Sequence, residues 1–180
     1  MNKTLIALAA AMALVSASAN AVNFTGEAGE HYTNLAVGFG TTTPGLAVSA
    51  NWAHSDNDGD IAGLGLGLNV PLGPILATVG GKALYLNPSD GSEGYALAVG
   101  GGLQLPLGSH FTVFGEGYYA PDSLSSGVND YVEANAGLRW NVIPLLTVDA
   151  GYRYIEMAGK DGDKNNVLAD GPYIGAALNF

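Results

Sequence analysis

Residues 131–142 read YVEANAGLRWNV and residues 145–155 read LLTVDAGYRYI, and these two stretches decide the fold. In both stretches apolar residues alternate with polar or small ones. The charged residues at the alternate positions are Glu133, Arg139, Asp149 and Arg153. Side chains on one face of a β-strand recur every second residue, whereas a helix repeats every 3.6 residues. Both stretches are therefore predicted to be β-strands with one apolar and one polar face.

The same alternation continues outward to Val22 and to Phe180, and it predicts ten antiparallel strands. The predicted strands lie near residues 22–28, 31–40, 45–53, 61–70, 74–86, 94–105, 110–120, 131–142, 145–155 and 171–180. An even number of strands returns both ends of the chain to the same side. Eight strands, with the first hairpin folded differently, are the alternative.

The first hairpin needs a turn inside residues 22–40, a stretch that is too long for one crossing and has no obvious loop. A two-residue turn at Gly29-Glu30 would pair Ala28 with His31 and Phe24 with Leu35. This pairing keeps the apolar residues of both strands on one face, as the pleat of a sheet requires.

The polar face of these strands distinguishes a membrane barrel from a soluble sandwich. The predicted strands are about ten residues long, which matches a tilted crossing of a bilayer and exceeds the usual five or six. The polar face is rich in Gly and Ala, which suits a narrow interior better than a hydrated surface. A sheet in lipid must close, because open edges would leave backbone groups unpaired. The predicted fold class is all-β: an antiparallel transmembrane β-barrel with apolar side chains outside and polar side chains inside.

Seven charged residues fall on the predicted inner face, four acidic and three basic. They are Glu27, Lys82, Glu116, Glu133, Arg139, Asp149 and Arg153. Unpaired buried charges are costly, so this near balance predicts mutual pairing in a lumen charge network. The network could be a polar plug that makes the barrel rigid, or a charged constriction in a narrow pore. Both hypotheses stay open at this point.

The predicted connections fall into two sets. The short set contains Pro and comprises residues 41–45, 70–74, 105–109 and 142–145. The long set comprises residues 54–60, 87–93, 121–130 and 156–170 and contains 11 of the 16 acidic residues. Short periplasmic turns and longer external loops are typical of outer-membrane barrels, so the external rim is predicted to be anionic.

Aromatic residues separate between the two predicted ends. Towards the external ends lie Trp52, Tyr85, Tyr95, Tyr119, Tyr131, Tyr152, Tyr154 and Tyr173; towards the periplasmic ends lie Phe24, Phe39, Phe111, Trp140 and Phe180. Two aromatic belts are expected where a barrel meets the lipid headgroups. The last residue, Phe180, ends an alternating strand and looks like the C-terminal assembly signal of outer-membrane barrels.

Residues 1–21 have the pattern of a signal peptide: Lys3 near the start, an apolar core, and small residues before a cut after Ala21. The predicted domains are therefore a signal peptide, residues 1–21, and a single outer-membrane barrel, residues 22–180. A retained N-terminal anchor is the alternative, although the apolar core is short for a membrane span. The mature chain is predicted to be exported across the inner membrane into the outer membrane.

Composition excludes several other classes of protein. Only 12% of the residues are charged, against about 25% in an ordinary soluble protein. The formal charge of −10 argues against binding nucleic acid through its phosphates. The chain has no Cys, which excludes disulfides, thiolate metal sites and a Cys nucleophile. After the leader no apolar run is long enough for a transmembrane helix.

The sequence offers only weak candidates for chemistry, and we predict no catalytic residues, no cofactor and no enzymatic activity. Of the three histidines, His31 and His54 are predicted near Ser55 at the external rim, and His110 near the periplasmic turns; no spacing motif links them to a nucleophile. Oxygen ligands at every second position make Asp56, Asp58, Asp60, Asp161 and Asp163 weak candidates for binding a divalent cation. The Gly and Glu positions of an EF-hand are not matched, and turn chemistry alone explains such loops. The Gly-rich segments 65–67 and 100–102 precede no helix and cannot form a nucleotide cradle.

Several stretches together resemble the YfaZ family of predicted outer-membrane proteins of Gram-negative bacteria. They are YTNLAVGFG from Tyr32, SDNDG from Ser55, GEGYYAPDSLSS from Gly115, YVEANAGLRW from Tyr131 and AGYRYIEMAGKDG from Ala150. The resemblance covers nearly all of residues 22–180. It implies an outer-membrane barrel, and it brings no substrate, reaction or catalytic residue.

The expected function is a structural or passively permeable outer-membrane barrel. A narrow porin-like channel is one alternative; a lipid- or peptide-modifying enzyme at the rim, and a surface adhesin or receptor that uses the acidic loops, are two others. The expected partners are outer-membrane lipids and the barrel-assembly machinery, with small solutes possible and no nucleic acid.

Overall fold

The computed structural model describes residues 22–180, and the predicted signal peptide lies outside them. Ten long strands form one antiparallel sheet. They are β1 (Val22–Gly29), β2 (Tyr32–Phe39), β3 (Gly45–Ser55), β4 (Gly59–Leu72), β5 (Ile75–Pro88), β6 (Gly94–Leu107), β7 (Phe111–Ala120), β8 (Tyr131–Ile143), β9 (Leu146–Met157) and β10 (Asn166–Asn179). A 3₁₀ turn, Asp122–Leu124, and a two-residue strand, Ser125–Ser126, lie between β7 and β8.

Pairing between the first and last strands closes the sheet into a barrel. Each strand pairs with its neighbours in sequence, and β1 also pairs with β10, from Asn23 opposite Asn179 to Gly29 opposite Tyr173. The Val22 amide donates to the Phe180 carbonyl at 3.0 Å. The predicted ten-strand antiparallel barrel is confirmed. Within residues 22–180 no helix is long and apolar enough to cross a membrane.

The two ends of the barrel differ. We call the end that holds Val22 and Phe180 the turn end; its connections are residues 40–44, 73–74, 108–110 and 144–145. We call the opposite end the loop end; its connections are residues 30–31, 56–58, 89–93, 121–130 and 158–165. At the turn end, Gly73 has a φ of +63° and precedes Pro74, a combination that suits a two-residue hairpin turn with a positive φ at its first position.

The lengths of the loops are partly wrong in the prediction. The segment predicted as loop 54–60 shrinks to residues 56–58, because Ser55 pairs with Gly59 and His54 with Asp60. This connection is as short as those at the turn end. The asymmetry between the two ends therefore rests on connections 121–130 and 158–165, because connection 89–93 is no longer than connection 40–44 at the turn end.

The register of the first hairpin also differs from the prediction by two residues. Ala28 pairs with Thr33 and Phe24 with Val37, so the turn is at Glu30-His31 and not at Gly29-Glu30. A slip of two residues keeps every side chain on its predicted face, because the pleat repeats every two residues. The error therefore moved the pairing partners without exchanging the inside and the outside of the barrel.

Strand β10 begins at Asn166, five residues before the predicted start at residue 171. Asp170-Gly171-Pro172 suggests a turn, yet Pro172 pairs with Tyr152 inside the strand. Pro has no N–H to donate, and it is tolerated here because β1 ends at Gly29 and no strand pairs with that side of β10.

The distribution of exposed side chains is the reverse of that in a soluble protein. Leu66 and Val79 are 63% and 72% exposed on the outer face, whereas Glu133 and Arg153 are 4% and 5% exposed inside. An apolar outer band with buried charges is stable in hydrocarbon and unfavourable in water. The predicted arrangement, apolar outside and polar inside, is confirmed.

Most side chains of the two predicted aromatic belts point outward from the barrel, and two residues are exceptions. At the loop end Trp52, Tyr85, Tyr95, Tyr119 and Tyr152 are exposed on the outer face. At the turn end Phe111 stacks on Trp140 with their centroids 6.3 Å apart, and Phe24 meets Phe180 edge to face at 6.1 Å. Tyr131 and Tyr173 were wrongly assigned to the belt: both are buried inside the barrel. Tyr131 stands two residues before Glu133 and so shares its inward face.

Candidate functional site

Packed apolar side chains fill the inside of the barrel at the loop end; we call them the apolar plug. Its fourteen buried residues are Tyr32, Ala53, Ile61, Leu84, Leu86, Ala96, Ala98, Ala120, Val128, Tyr131, Ile155, Met157, Leu168 and Ala169. All except Val128 come from strand segments at the loop end or from the last residue of β7. The interior of a small barrel is narrow enough for side chains to fill it, and at the loop end of this barrel they do.

The connection 121–130 completes the plug from above. Val128 is buried in the plug, and the Ser125–Ser126 strand pairs with Tyr95 and Ala96 of β6. Backbone bonds tie this connection to the next one: the Asn129 amide donates to the Ala158 carbonyl at 2.9 Å. The loop is therefore part of the closed end of the barrel. A β-bulge opposite Ile155 turns both Leu168 and Ala169 inward, which adds two further side chains to the plug.

Below the plug, towards the turn end, the lumen charges begin with a tight ion pair. The Lys82 ammonium donates to Glu133 Oε2 at 2.8 Å, and the Tyr131 hydroxyl donates to the same oxygen at 2.9 Å. Lys82 Nζ also lies 4.0 Å from the centre of the Tyr118 ring. The side chains of Lys82 and Glu133 are only 12% and 3% exposed, so each neutralises a largely buried charge.

Arg153 is the centre of a second buried cluster. Its guanidinium donates to the Tyr32 hydroxyl at 2.9 Å and to Glu27 Oε1 at 3.3 Å. Glu116 Oε1 is 3.9 Å away from Arg153 Nη2. Asn34 completes the shell of Glu27 by donating to its Oε2 at 3.1 Å. Tyr32 and Asn34 were not among the predicted site residues, although both stand on the inward register of β2.

The remaining two predicted network residues, Arg139 and Asp149, behave differently. They are directly opposite each other on β8 and β9, yet neither forms an ion pair within 4.0 Å among residues 22–180. Arg139 instead lies over the Phe114 ring, with its guanidinium carbon 4.9 Å from the ring centre. Arg139 therefore presents a guanidinium to the cavity without a close carboxylate.

A cavity of about 870 Å³ occupies the lumen between these charges and the turn end; we call it the vestibule. All seven residues of the predicted charge network line it. Thr41, Ser109 and Pro144 of the turn-end connections line its opening, whereas none of the fourteen plug residues lies on its wall within residues 22–180. Eight Asn or Gln and eight Ser or Thr side chains make up most of its polar lining.

A second cavity, about 350 Å³ in volume, lies at the loop end beside the short β1–β2 hairpin. Its wall includes His31, Ser55, Asp58 and Tyr173. Arg153 lines this loop-end cavity as well as the vestibule, and no other described residue lines both. The Arg153 cluster is therefore the partition between the two cavities.

The predicted histidines do not form a catalytic arrangement among residues 22–180. His54 Nδ1 lies 2.9 Å from Asp60 Oδ1, and its Nε2 lies 3.5 Å from Asp56 Oδ1. The Ser55 hydroxyl donates to Asp58 at 3.2 Å and not to an imidazole. At the turn end His110 Nδ1 is 2.7 Å from the Ser109 hydroxyl, and both groups are exposed.

The candidate cation ligands are also used for other contacts. Asp58 Oδ1 accepts a bond from the Val167 amide at 3.3 Å, and Asp161 and Gly162 form a turn with φ values of +55° and +103°. Within residues 22–180 no three His, Asp or Glu side chains converge in a way that could hold a metal ion. The neighbouring Lys160 donates to Asp122 at 2.6 Å, and this hydrogen bond raises the pKa of Lys160 above its ordinary value.

Together, the closed sheet, the apolar outer band and the polar lumen define an integral outer-membrane β-barrel. A family model described as "YfaZ precursor" matches residues 1–180, and the word precursor supports the predicted signal peptide. The outer membrane protein YfaZ of Escherichia coli (strain K12) is 58% identical over 180 residues, which is the full length of both chains. The chain belongs to the YfaZ family, and it is an outer-membrane protein.

Two solved structures match this chain over most of its length with little sequence in common. The NanC porin is 12% identical, with a TM-score of 0.49 over 90% of this chain and 100% of that one. The transport unit of the autotransporter AIDA-I from Escherichia coli is 13% identical, with a TM-score of 0.49 over 92% of each chain.

Proposed function

We propose that this protein is a structural outer-membrane barrel with a closed lumen, and not a channel or an enzyme. The observation that carries the proposal is the apolar plug, together with the Arg153 partition beside it. An ion that crosses the barrel has to leave water, and closely packed apolar side chains offer it no replacement for its hydration shell. The short connections of the turn end face the periplasm, as in other outer-membrane barrels. The vestibule then opens to the periplasm, and the anionic loops face outward.

Among residues 22–180 the rim has no serine in hydrogen-bond contact with an imidazole, and the Ser109–His110 contact at the turn end has no carboxylate within 4.0 Å of the imidazole to orient it. Ser55 donates to a carboxylate, and both nitrogens of His54 face carboxylates. A serine hydrolase at the rim requires the serine and the imidazole to be within hydrogen-bond reach. This geometry favours a role without catalysis.

Electrical recording tests the proposal directly. Purified protein, folded in detergent and inserted into planar bilayers, is expected to give no conductance steps at salt concentrations where a general porin gives clear ones. Proof of insertion comes from the same preparation in vesicles, where the folded barrel resists protease. Reproducible conductance steps from inserted wild-type protein would refute the closed lumen.

We also propose that the barrel-assembly machinery recognises the C-terminal strand through Phe180. The Phe180 ring is 67% exposed on the outer face, and its backbone is paired with Val22. Deleting Phe180 removes one exposed aromatic side chain and the backbone hydrogen bonds between Phe180 and Val22 at the end of the sheet. The barrel is therefore expected to fold in detergent almost as well as the wild type. In cells we expect most of the protein to be lost from the outer membrane.

The measurement is the heat-modifiable fraction on a gel, taken from cell membranes and from refolded protein. Replacing Phe111, an exposed aromatic at the same end, with Ala is the matched control and should leave the cellular level unchanged. Equal losses for the two variants, or a loss confined to detergent refolding, would contradict the assembly role of Phe180.

A further inference from the structure

The vestibule contains two buried polar atoms that lack a hydrogen-bond partner. Three buried polar atoms have no partner among the described residues: Asn135 Oδ1, Arg153 Nε and the hydroxyl of Tyr173, which lines the loop-end cavity and not the vestibule. Asn135 and Arg153 line the vestibule and are 5% exposed. They are directly opposite each other on β8 and β9, on the same inward face. Buried polar atoms in native proteins are nearly always satisfied, so these two atoms are positioned to bond to a molecule in the vestibule.

The identity of the two atoms restricts which group of that molecule they can bind. The Asn135 amide nitrogen donates to Glu116 Oε1 at 3.3 Å, which leaves its oxygen as the free acceptor. Arg153 Nε is a donor. A carboxylate or a phosphate would satisfy Arg153 and face the Asn135 oxygen with a second acceptor; an ammonium would do the reverse. A hydroxyl group both donates and accepts, so it satisfies the two atoms together.

The rest of the vestibule favours the same chemistry. Its wall carries eight amide and eight hydroxyl side chains. Side chains of both kinds can donate and accept hydrogen bonds, which is what recognition of several hydroxyl groups on one solute requires. Two of the ion pairs on the vestibule wall, Lys82 with Glu133 and Arg153 with Glu27, are closed, and Glu116 is bound by Asn135 and lies 3.9 Å from Arg153. Arg139 and Asp149 carry opposite charges at directly opposed positions of β8 and β9, so the wall does not select strongly for either sign of charge. The volume of about 870 Å³ lies within the range of about 300–1,000 Å³ that is usual for small-molecule sites.

From these observations we infer that the vestibule is a binding site for an uncharged, hydroxyl-rich solute of about sugar size, which enters from the turn end. One hydroxyl of the solute bridges Asn135 Oδ1 and Arg153 Nε. Amide groups nearer the opening, among them Gln104 Oε1 and Asn141 Nδ2, meet its other hydroxyls. The plug ends the path, so the solute is held and does not cross.

Calorimetric titration of the protein, folded in a detergent without a sugar headgroup, tests this inference. The probes are glucose, its cationic analogue glucosamine, its anionic analogue glucuronate, inorganic phosphate and the uncharged disaccharide sucrose. We expect glucose or sucrose to bind with a dissociation constant of about 1 mM or tighter. The charged analogues and phosphate should bind more weakly than glucose.

Two variants locate the site. Asn135→Leu keeps the size of the side chain and removes its oxygen, and it should weaken binding about fivefold or more. Ser49→Phe fills the vestibule opposite Gly65 and should abolish binding; it keeps the test valid if the first variant does not fold. Asn57→Leu, the same exchange on an exposed loop at the other end, should bind like the wild type.

Each other outcome overturns the inference. If neither sugar binds, water alone satisfies the two atoms. If phosphate or glucuronate binds more tightly than glucose, the site takes anions. If Asn135→Leu and Ser49→Phe leave sugar binding unchanged, the sugar binds elsewhere. None of these results bears on whether the lumen conducts ions, so the closed barrel is tested separately.

Discussion

A barrel that carries Arg153→Ala together with Glu27→Gln is expected to conduct ions, whereas the wild-type barrel does not. Arg153 lines both the vestibule and the loop-end cavity, so removing its side chain joins the two spaces. Glu27 is neutralised in the same variant because a buried carboxylate without its cation is strongly destabilising. The expected result is the appearance of conductance steps in planar bilayers.

The matched control for this experiment removes the other buried ion pair. Lys82→Met with Glu133→Gln eliminates a pair of similar burial, but both residues line only the vestibule. This variant should remain as silent as the wild type. If both double variants conduct, the barrel is merely loosened by loss of internal charge; if neither does, Arg153 is not the partition.

Glu133→Gln alone should destabilise the barrel more than any other single change at the charge network. The substitution leaves the Lys82 ammonium buried against a neutral amide. Removing one partner of a buried ion pair typically costs about 3–5 kcal/mol. The free energy of unfolding can be measured by urea titration in lipid vesicles, with the fluorescence of Trp52 and Trp140 as the signal.

Two further variants interpret this loss. Adding Lys82→Met to Glu133→Gln should recover much of the stability, since a neutral, well-packed pair is often as stable as the ion pair that it replaces. Lys160→Ala breaks a loop ion pair of similar length, 2.6 Å, and should cost far less stability because that pair is solvated. A cost for Glu133→Gln as small as that for Lys160→Ala would contradict the buried pairing.

The sequence predicted the inside and the outside of the barrel well, because this information is local. Alternation around Glu133, Arg139, Asp149 and Arg153 assigns each side chain to a face without knowledge of its partner strand. The same rule could have corrected the two misassigned tyrosines, Tyr131 and Tyr173, because each stands on an inward position.

Pairing and loop bounds depend on contacts across the barrel, and they were predicted less well. The first hairpin can slip by two residues without moving any side chain to the wrong face, so hydrophobic pattern alone does not fix its register. The strand status of Pro172 depends on β1 ending at Gly29, which is a fact about another strand. Asp170-Gly171-Pro172 has the composition of a turn although it lies inside β10, and composition cannot reveal that a neighbouring strand is absent.

The apolar plug was missed, although the sequence carries a trace of it. Residues 83–86 read ALYL, an apolar run in which both faces of β5 are apolar at the loop end. Loss of alternation at a strand end indicates that the lumen there is dry. The contribution of Val128 could not be foreseen, because it depends on a loop folding back into the barrel.

Labelling of two adjacent residues tests the central claim, that apolar side chains face lipid and polar side chains face a water-filled vestibule. The chain has no Cys, so Val48→Cys and Ser49→Cys each introduce a single thiol. Val48 is exposed on the outer face, and Ser49 lines the vestibule. In lipid vesicles Ser49→Cys should react with a water-soluble maleimide and Val48→Cys should not. Rapid labelling of Val48→Cys with protection of Ser49→Cys would contradict the claim.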